Sequence, residues 1–209
     1  MFDFIIDLDE YFCEKYAGYD KLSVLPGYKM PMMQATETRE DGRTYSYTLP
    51  ADTMRLSKQE NKDALLVELK KRMVDKTFSF SFSIPSFFAR IKSFFSKYGF
   101  AKNLKKIMGK YGITDEDVLK QVEISPEIWK GIRKNKFLPS KNLLLTLALM
   151  WQTSYDDANA MLNLCDFFFD YTIVKDVVIG YLLSRKVYNP EMVQAALEEY
   201  QVTNLFFKR

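Results

Sequence analysis

The stretch from Ile113 to Leu164 constrains the fold of this chain more than any other feature. It contains four short amphipathic segments, and joints of turn length separate them. The second segment is basic on one flank, and its other flank is apolar, with Ile128, Trp129 and Ile132. A short helix that buries an apolar flank and exposes a basic one can enter the major groove of DNA. The stretch therefore predicts a nucleic-acid-binding module.

The basic residues are concentrated in the middle of the chain. The net charge of the whole chain is +3, but residues 76–145 hold 14 basic and five acidic side chains, a net charge of +9. The flanking segments 1–75 and 146–209 each carry a net charge of −3. This concentration predicts an anionic partner better than the overall charge does. A solvated basic face without a dedicated partner is the alternative interpretation.

Histidine, the commonest general base of enzymes, is missing from the chain. The chain contains no histidine, which excludes Ser-His-Asp and Cys-His catalysis and zinc sites built on histidine. Its two cysteines, Cys13 and Cys165, lie far apart, and we expect free, partly buried thiols. We therefore predict that the protein is not an enzyme and has no catalytic residue, no cofactor and no metal site.

The sequence predicts no membrane span and a cytoplasmic location. No apolar run approaches the roughly 20 residues that a spanning helix requires. The N-terminal stretch carries acidic residues where a signal peptide has lysines. Residues 86–98 are aromatic on one side and basic on the other, which also suits an interfacial membrane helix, but Phe at helical spacing is more typical of packing between domains.

The first 85 residues predict a small α+β domain that begins with a helix and a hairpin. Apolar residues recur at helical spacing over residues 4–17, and Asp3 is the expected N-cap. Asp41-Gly42 marks a hairpin turn, and Tyr45 and Tyr47 alternate with polar residues as in a half-buried strand.

A second helix and a third strand are predicted to complete this domain. Ser57 and Glu60 form a capping-box pattern, and the helix after them has a buried stripe of Leu65, Leu66, Leu69 and Met73. Residues 77–83 alternate strictly, with Phe at every second position from Phe78, and predict the third strand.

The remainder of the chain reads as helical. Five helices are expected over Asn103–Met108, Thr114–Val122, Ser125–Lys134, Ser140–Gln152 and Tyr155–Leu164. Two more follow, one over Val174–Arg185 and one that starts at Asn189-Pro190. The predicted fold class is thus α+β. Its parts are a small α+β domain over 1–85, a connecting amphipathic helix over 86–98, a five-helix domain over 99–165 and a C-terminal helical appendage over 166–209.

The five-helix stretch carries a set of residues with a familiar arrangement. They are Thr114 before the second helix, Ile124-Ser125 at the start of the third, Trp129 and Ile132 at its buried positions, and Pro139-Ser140 with Leu144, Leu147 and Ala148 in the fourth. With these residues, 99–165 resembles the lambda-repressor-like (XRE-type) helix-turn-helix family. The resemblance implies DNA as the partner and the helix opened by Ser125 as the recognition helix.

Three residues depart from the pattern of that family. Leu119 stands where a small residue is usual, and Asp115 where a polar contact residue is usual. Glu123 replaces the glycine of the tight turn, which predicts a different turn. The acidic run that starts at Asp115 either repels the phosphate backbone or stabilises a helix N-terminus through the helix dipole.

The predicted nucleic-acid-binding residues lie in and just after the recognition helix. They are Ser125, Glu127, Lys130, Arg133, Lys134, Lys136 and Lys141. Glu127 and Lys130 are the nearest to base edges, since Glu can accept from cytosine and Lys can donate to guanine. The basic residues after them are expected to lie along phosphates, or to complement the C-terminal dipole of the helix.

Two functional hypotheses follow. In the first, the protein is a DNA-binding regulatory protein, and its N-terminal domain forms a homodimer or senses a ligand. In the second, it is a protein-interaction or adaptor module, in a mobile-element or defence setting, that keeps the helix-turn-helix fold without DNA binding. The aromatic-rich residues 78–100 are then the surface for a protein partner.

Overall fold

The computed structural model describes residues 2–30, 32–50, 55–73 and 99–208 of the chain. Within those ranges the chain forms ten α-helices and one two-stranded antiparallel sheet. The α+β fold class is confirmed, with the sheet in the N-terminal part and a helical C-terminal region. The predicted third strand and the predicted connecting helix lie outside the described residues.

The elements follow one another with short connections. The N-terminal part contains α1 (Phe2–Lys15), α2 (Tyr19–Leu22), β1 (Met32–Thr38), β2 (Thr44–Pro50), a 3-10 turn (Leu56–Lys58) and α3 (Lys62–Arg72). The C-terminal part contains α4 (Phe100–Lys110), α5 (Asp115–Gln121), α6 (Pro126–Arg133), α7 (Lys141–Met150), α8 (Tyr155–Asn163), α9 (Val174–Ser184) and α10 (Pro190–Glu199).

The hairpin turn forms where Asp41-Gly42 predicted it. Gly42 has a φ of 75°, and its N–H donates to the Arg39 carbonyl at 2.9 Å, a left-handed position that favours glycine. The predicted half-burial of β2 is wrong, because Tyr45 and Tyr47 keep 40% and 43% of their surface exposed. The reason is that, among the described residues, β1 and β2 pack on each other and no helix packs broadly on either strand.

Helix α1 buries the apolar face that its spacing predicts, with Leu8 and Phe12 fully enclosed. The helix spans Phe2–Lys15, so Asp3 lies inside it, and the predicted N-cap is wrong. Its partner on α9 is Tyr181, whose hydroxyl donates to the Asp7 carboxylate at 2.9 Å. This contact joins residues 174 positions apart, which no local pattern could indicate.

Helix α3 buries the four predicted residues, Leu65, Leu66, Leu69 and Met73. The predicted capping box is wrong, because Ser57 lies in the 3-10 turn and α3 begins only after Asn61. Gln59 accounts for the delay. Its buried side-chain amide forms two hydrogen bonds with the backbone of Lys29, of 3.0 and 2.6 Å, and its own backbone is extended there.

A single apolar core runs through both parts of the described chain. Leu8 of α1, Leu69 of α3, Leu147 of α7 and Val178 of α9 all belong to it. The predicted boundary between 85 and 99 falls almost entirely outside the described residues, and the division into domains stays a prediction.

A charged cluster fastens α1, α3 and α10 together at the edge of this core. The Lys70 ammonium donates to both oxygens of Asp9, at 2.7 and 2.9 Å, and to Glu199 at 2.6 Å. The Tyr200 hydroxyl donates to Asp9 at 2.7 Å, and Lys70 lies 4.6 Å from the centre of the Tyr200 ring. Since the Lys70 side chain is only 13% exposed, removing it leaves two carboxylates poorly compensated.

We expect Lys70→Met to lower the free energy of unfolding by about 2–4 kcal/mol, measured by urea denaturation. The neighbouring Lys71→Met is the matched control. Lys71 pairs with Glu68 on the surface and is 65% exposed, so its loss is expected to cost under about 0.5 kcal/mol. Equal effects of the two substitutions would show that the cluster does not fasten the helices.

A second polar cluster joins the end of α4 to the start of α8. Asp157 accepts hydrogen bonds from Lys110 at 2.6 Å, from the Ser154 hydroxyl at 3.0 Å and from the Tyr111 hydroxyl. Burial alone raises the pKa of Asp157, but these hydrogen bonds outweigh burial and hold the pKa below its ordinary value of 3.8.

The lowered pKa of Asp157 makes its contribution depend on pH. The stabilisation is complete above the unfolded-state pKa and is lost as the pH falls through the lower folded-state pKa. Asp157→Asn is therefore expected to cost about 1–3 kcal/mol near neutral pH and clearly less at about pH 3, in urea melts at both pH values. Asp156→Asn, at the exposed neighbouring position, controls for the lost charge. A pH-independent cost for Asp157→Asn would refute this account.

Candidate nucleic-acid interface

Four helices of the five-helix stretch begin at a side-chain cap. Three of these caps, Thr114, Ser125 and Ser140, stand where the sequence predicted a helix start, and the fourth, Ser154, lies one residue before the predicted start at Tyr155. Thr114 and Asp117 form a capping box, in which the Asp117 N–H donates to the Thr114 hydroxyl at 3.2 Å and the Thr114 N–H donates to Asp117 at 2.9 Å. Ser125, Ser140 and Ser154 accept from the third residue after each of them. These bonds satisfy N–H groups that the helix itself leaves unpaired.

Two acidic residues in the first turn of α5 stabilise the fold through contacts within the protein. Asp117 completes the capping box, and the hydrogen bonds from Thr114 keep its pKa below the ordinary value. Asp115 accepts from the Trp129 indole N–H at 2.9 Å and pairs with the Arg133 guanidinium at 3.0 Å. Asp115 therefore fastens α5 to α6, and Arg133 is held by that carboxylate.

The outer flank of α6 is accessible. Trp129 and Ile132 are buried, as predicted, with 2% and 0% of their surface exposed, while Ser125, Glu127 and Lys130 are exposed. Lys134 follows on the same side and is also exposed. Among the described residues, neither Lys130 nor Lys134 has a carboxylate within 4.0 Å of its ammonium nitrogen.

A hydrogen bond places the first turn of α4 beside the loop that follows α6. Asn135 adopts a φ of 53°, and its side-chain oxygen accepts from the Ala101 N–H at 3.0 Å. Asn135 lies between Lys134 and Lys136, and Ala101 precedes Lys102. We define the basic surface as the exposed residues Lys102, Lys130, Lys134 and Lys136.

The exposed face of α4 extends this positive charge. Lys105 and Lys106 are exposed and, within the described part of the chain, have no carboxylate within 4.0 Å. Lys110 at the end of the helix is different, because it is paired with Asp157. In the sequence these lysines contribute only to the net charge of residues 76–145, since no local pattern indicates that α4 lies beside the loop after α6.

Lys141 does not belong to the basic surface. It forms an ion pair with Asp176 of α9, and the Asp176 side chain is only 2% exposed. Burial raises the pKa of Asp176, which Lys141 opposes by stabilising the carboxylate. Lys141 thus compensates a buried charge, and its predicted contact with nucleic acid, like that of Arg133, stays a prediction.

The turn between α5 and α6 differs from the family pattern in the way Glu123 predicted. Val122 is extended, with φ −113° and ψ 135°, and forms a β-bridge with Phe207. The Glu123 N–H donates to the Phe206 carbonyl at 2.7 Å, and the Lys208 N–H donates to the Gln121 carbonyl at 2.9 Å. We call residues 202–208 the C-terminal tail. It supports the turn from outside, so no glycine with positive φ is required.

The tail is itself anchored in the core. The Phe206 N–H donates to the hydroxyl of the buried Thr146 at 3.0 Å, and Phe206 is 6% exposed. The Lys208 ammonium donates to the Leu119 carbonyl at 2.9 Å. The sequence showed no sign of these two contacts, because their partners lie 60 and 89 positions apart and the tail has no alternating pattern.

The described residues also bear on membrane, metal and aromatic protein-contact sites. Of the described helices, none combines the length and apolar character needed to cross a membrane. Across the described ranges, no group of three or more cysteine and acidic side chains could hold a metal ion. The aromatic-rich surface predicted over 78–100 lies outside the described residues except for Gly99 and Phe100, and Phe100 is 4% exposed.

Helix α6 requires a residue without a side chain at Gly131, which no sequence pattern indicated. The Phe137 ring packs directly over it, so that a Cβ at this position would overlap the ring. The Lys136 N–H also donates to the Gly131 carbonyl at 2.8 Å. The absent side chain therefore lets the chain fold back after α6 and sets the position of Lys134 and Lys136.

We expect Gly131→Ala to lower the free energy of unfolding by about 1–3 kcal/mol, measured by urea denaturation. Gly109→Ala is the matched control, since a Cβ there meets no atom within 4 Å and the helix gains from alanine by about 0.5–1 kcal/mol. Stabilisation by both substitutions would mean that Phe137 does not pack on Gly131 in solution.

No protein-family model matches this chain, and comparisons with curated proteins and with solved structures found no match.

Proposed function

We propose that the protein is a DNA-binding regulatory protein that inserts α6 into the major groove. The observation that carries the proposal is the pair Lys130 and Lys134, two exposed ammonium groups without a carboxylate partner among the described residues, on the flank of α6 opposite the buried Trp129. An exposed lysine without a carboxylate partner costs the protein little free energy, and it interacts favourably with an anionic partner.

The first turns of α6 supply the groups for base edges. Ser125 and Glu127 are exposed at the N-terminal end of the helix, which is the end that helix-turn-helix proteins direct at the bases, and the exposed Lys130 lies one turn further on. Lys130 can donate to guanine and Glu127 can accept from cytosine. The Ser125 hydroxyl accepts from the Ile128 N–H at 3.3 Å and can still donate to a phosphate or a base.

The rest of the basic surface supplies phosphate contacts. Lys134 and Lys136 follow α6, and Lys102 lies on the neighbouring first turn of α4. Each lysine that neutralises one phosphate adds about 0.9 to the slope of log affinity against log salt. Since Arg133 and Lys141 are held by Asp115 and Asp176, binding rests on fewer cations than the sequence suggested.

A protein-interaction or adaptor module is the second candidate. The observation that favours it is the mixed charge around the outer flank of α6, where Glu123 and Glu127 are exposed beside the lysines. Carboxylates near the groove repel phosphates, whereas a charged protein surface can pair with both signs. In this second candidate the protein partner is proposed to bind through residues 78–100. The proposed homodimer belongs to the first candidate, the DNA-binding protein.

Charge reversal on α6 tests the DNA proposal. The full chain is expected to bind random-sequence duplex DNA at about 50 mM salt with micromolar affinity, and the double variant Lys130→Glu/Lys134→Glu is expected to lose this binding. The neutral double variant Lys130→Gln/Lys134→Gln is expected to lower the salt slope by about 2. Filter binding across a salt series measures both.

The matched control reverses two lysines of the N-terminal part, Lys29→Glu/Lys58→Glu, which are exposed and lie outside the basic surface. It is expected to bind as the unchanged chain does. Two results would reject α6 as the DNA contact: no DNA binding by the unchanged chain at about 50 mM salt, or an equal loss of DNA binding in the Lys130→Glu/Lys134→Glu variant and the Lys29→Glu/Lys58→Glu control. A stoichiometric protein partner, co-purified without nucleic acid and lost on reversal at 130 and 134, would support the adaptor instead.

A further inference from the structure

A cleft lies behind the helix-turn-helix unit, where the C-terminal tail crosses the ends of α5 and α7 and the start of α10. Its volume is about 500 Å³, within the range of small-molecule sites. Its apolar lining consists of Leu149, Met150, Tyr188, Val193, Leu197 and Phe207. Leu149 and Leu197 are buried at its base, with 6% and 8% of their surface exposed.

The polar groups of the cleft are suited to an anion. Of the residues that line it, Lys208 is the one that is charged, and Gln121 and Gln152 provide side-chain amides. The third glutamine of the lining, Gln194, donates its amide N–H to Glu198 at 2.7 Å. The Lys208 ammonium donates one hydrogen bond, to the Leu119 carbonyl, and an ammonium has three N–H groups. Amide N–H groups and an ammonium at the rim of an apolar cleft are complementary to a carboxylate attached to an apolar body.

The walls of this cleft are continuous with the turn between α5 and α6. Phe207 lines the cleft and forms the β-bridge with Val122. Gln121 also lines it, and its carbonyl accepts from the Lys208 N–H. A molecule in the cleft therefore contacts both strands of the small pairing that supports the recognition helix.

We infer that this cleft binds an amphipathic monocarboxylate, such as a medium-chain fatty acid, and that binding holds the C-terminal tail against the turn before α6. The hydrocarbon part of the ligand replaces water over Leu149, Val193 and Phe207, and its carboxylate pairs with Lys208. The site and its effect on the turn stand independently of the DNA proposal. Only its use as a regulatory site rests on that proposed function.

Ligand binding in the cleft is coupled to the turn before α6 by mass action. A ligand that requires the closed tail suppresses every opening that detaches the tail, by a factor of one plus the ratio of ligand concentration to Kd. The amide protons of Glu123 and Lys208 report this opening, because their acceptors are the Phe206 and Gln121 carbonyls. With ligand at ten times its Kd, their exchange is expected to slow about tenfold.

Decanoate is the probe, and 1-decanol is the matched neutral compound. Amide hydrogen exchange of the full chain, followed by NMR, is expected to slow at Glu123 and Lys208 with decanoate and clearly less with decanol. Lys208→Met is expected to weaken decanoate binding about tenfold or more, since a charge-assisted hydrogen bond is lost. Lys21→Met, at an exposed lysine away from the cleft, is the control and is expected to leave binding unchanged.

Val193→Trp fills the cleft and is expected to abolish protection by decanoate while leaving the β-bridge in place. Lys208→Met keeps the inference testable if the tryptophan variant does not fold. Three results would overturn the inference: no slowing with decanoate, equal slowing with decanol, or a concentration-dependent dimer that Val193→Trp disrupts, which would make a second copy the occupant.

The same samples separate this inference from the DNA proposal. If decanoate protects Glu123 while the chain binds no DNA at about 50 mM salt, the site stands and the proposed function fails. If the chain binds DNA but decanoate leaves exchange unchanged, the proposed function stands and the site fails. If both hold, the affinity for duplex DNA is expected to change at least about threefold with saturating decanoate, as a coupling between two sites requires.

Discussion

The backbone pairing between the C-terminal tail and the turn before α6 is the interaction on which the rest of this structure depends. Every backbone N–H is a strong hydrogen-bond donor, and the N–H of Glu123 donates to the Phe206 carbonyl of the tail. Because the tail supplies this acceptor, the turn can be extended and needs no left-handed glycine. The same pairing brings Phe207 to the rim of the cleft, so the orientation of α6 and the shape of the cleft have one common cause.

The cations of the chain divide into those that complete the fold and those that face outward. Lys70, Arg133 and Lys141 each pair with a carboxylate, and their side chains are 13%, 22% and 20% exposed. Such pairs compensate charges that burial would otherwise leave unbalanced. Lys130 and Lys134 are exposed and pair with no described carboxylate. Function is therefore proposed for the second group alone, although both groups look alike in the sequence.

Predictions succeeded where the controlling contacts are local. The helix starts predicted at Thr114, Ser125 and Ser140 are side-chain caps that each act within three residues, so their patterns are complete in the sequence itself. Predictions failed where a contact with a distant residue overrides the local pattern. Gln59 bonds to Lys29, 30 positions away, and delays α3 past the capping pattern that Ser57 suggested. The tyrosines of β2 alternate with polar residues as predicted, yet no described helix packs broadly on the strand, and both rings stay partly exposed.

The sequence by itself determined the helical C-terminal half, its capped starts, the hairpin and the buried flank of α6, because periodicity and capping act over a few residues. Only the tertiary structure decided which charges face outward, how Asp115 is used and what supports the turn at Glu123. Those outcomes depend on pairings between segments far apart along the chain, such as Val122 with Phe207 and Lys141 with Asp176. A pairing of that kind is specified by the packing of the whole core, and no single stretch of residues contains it.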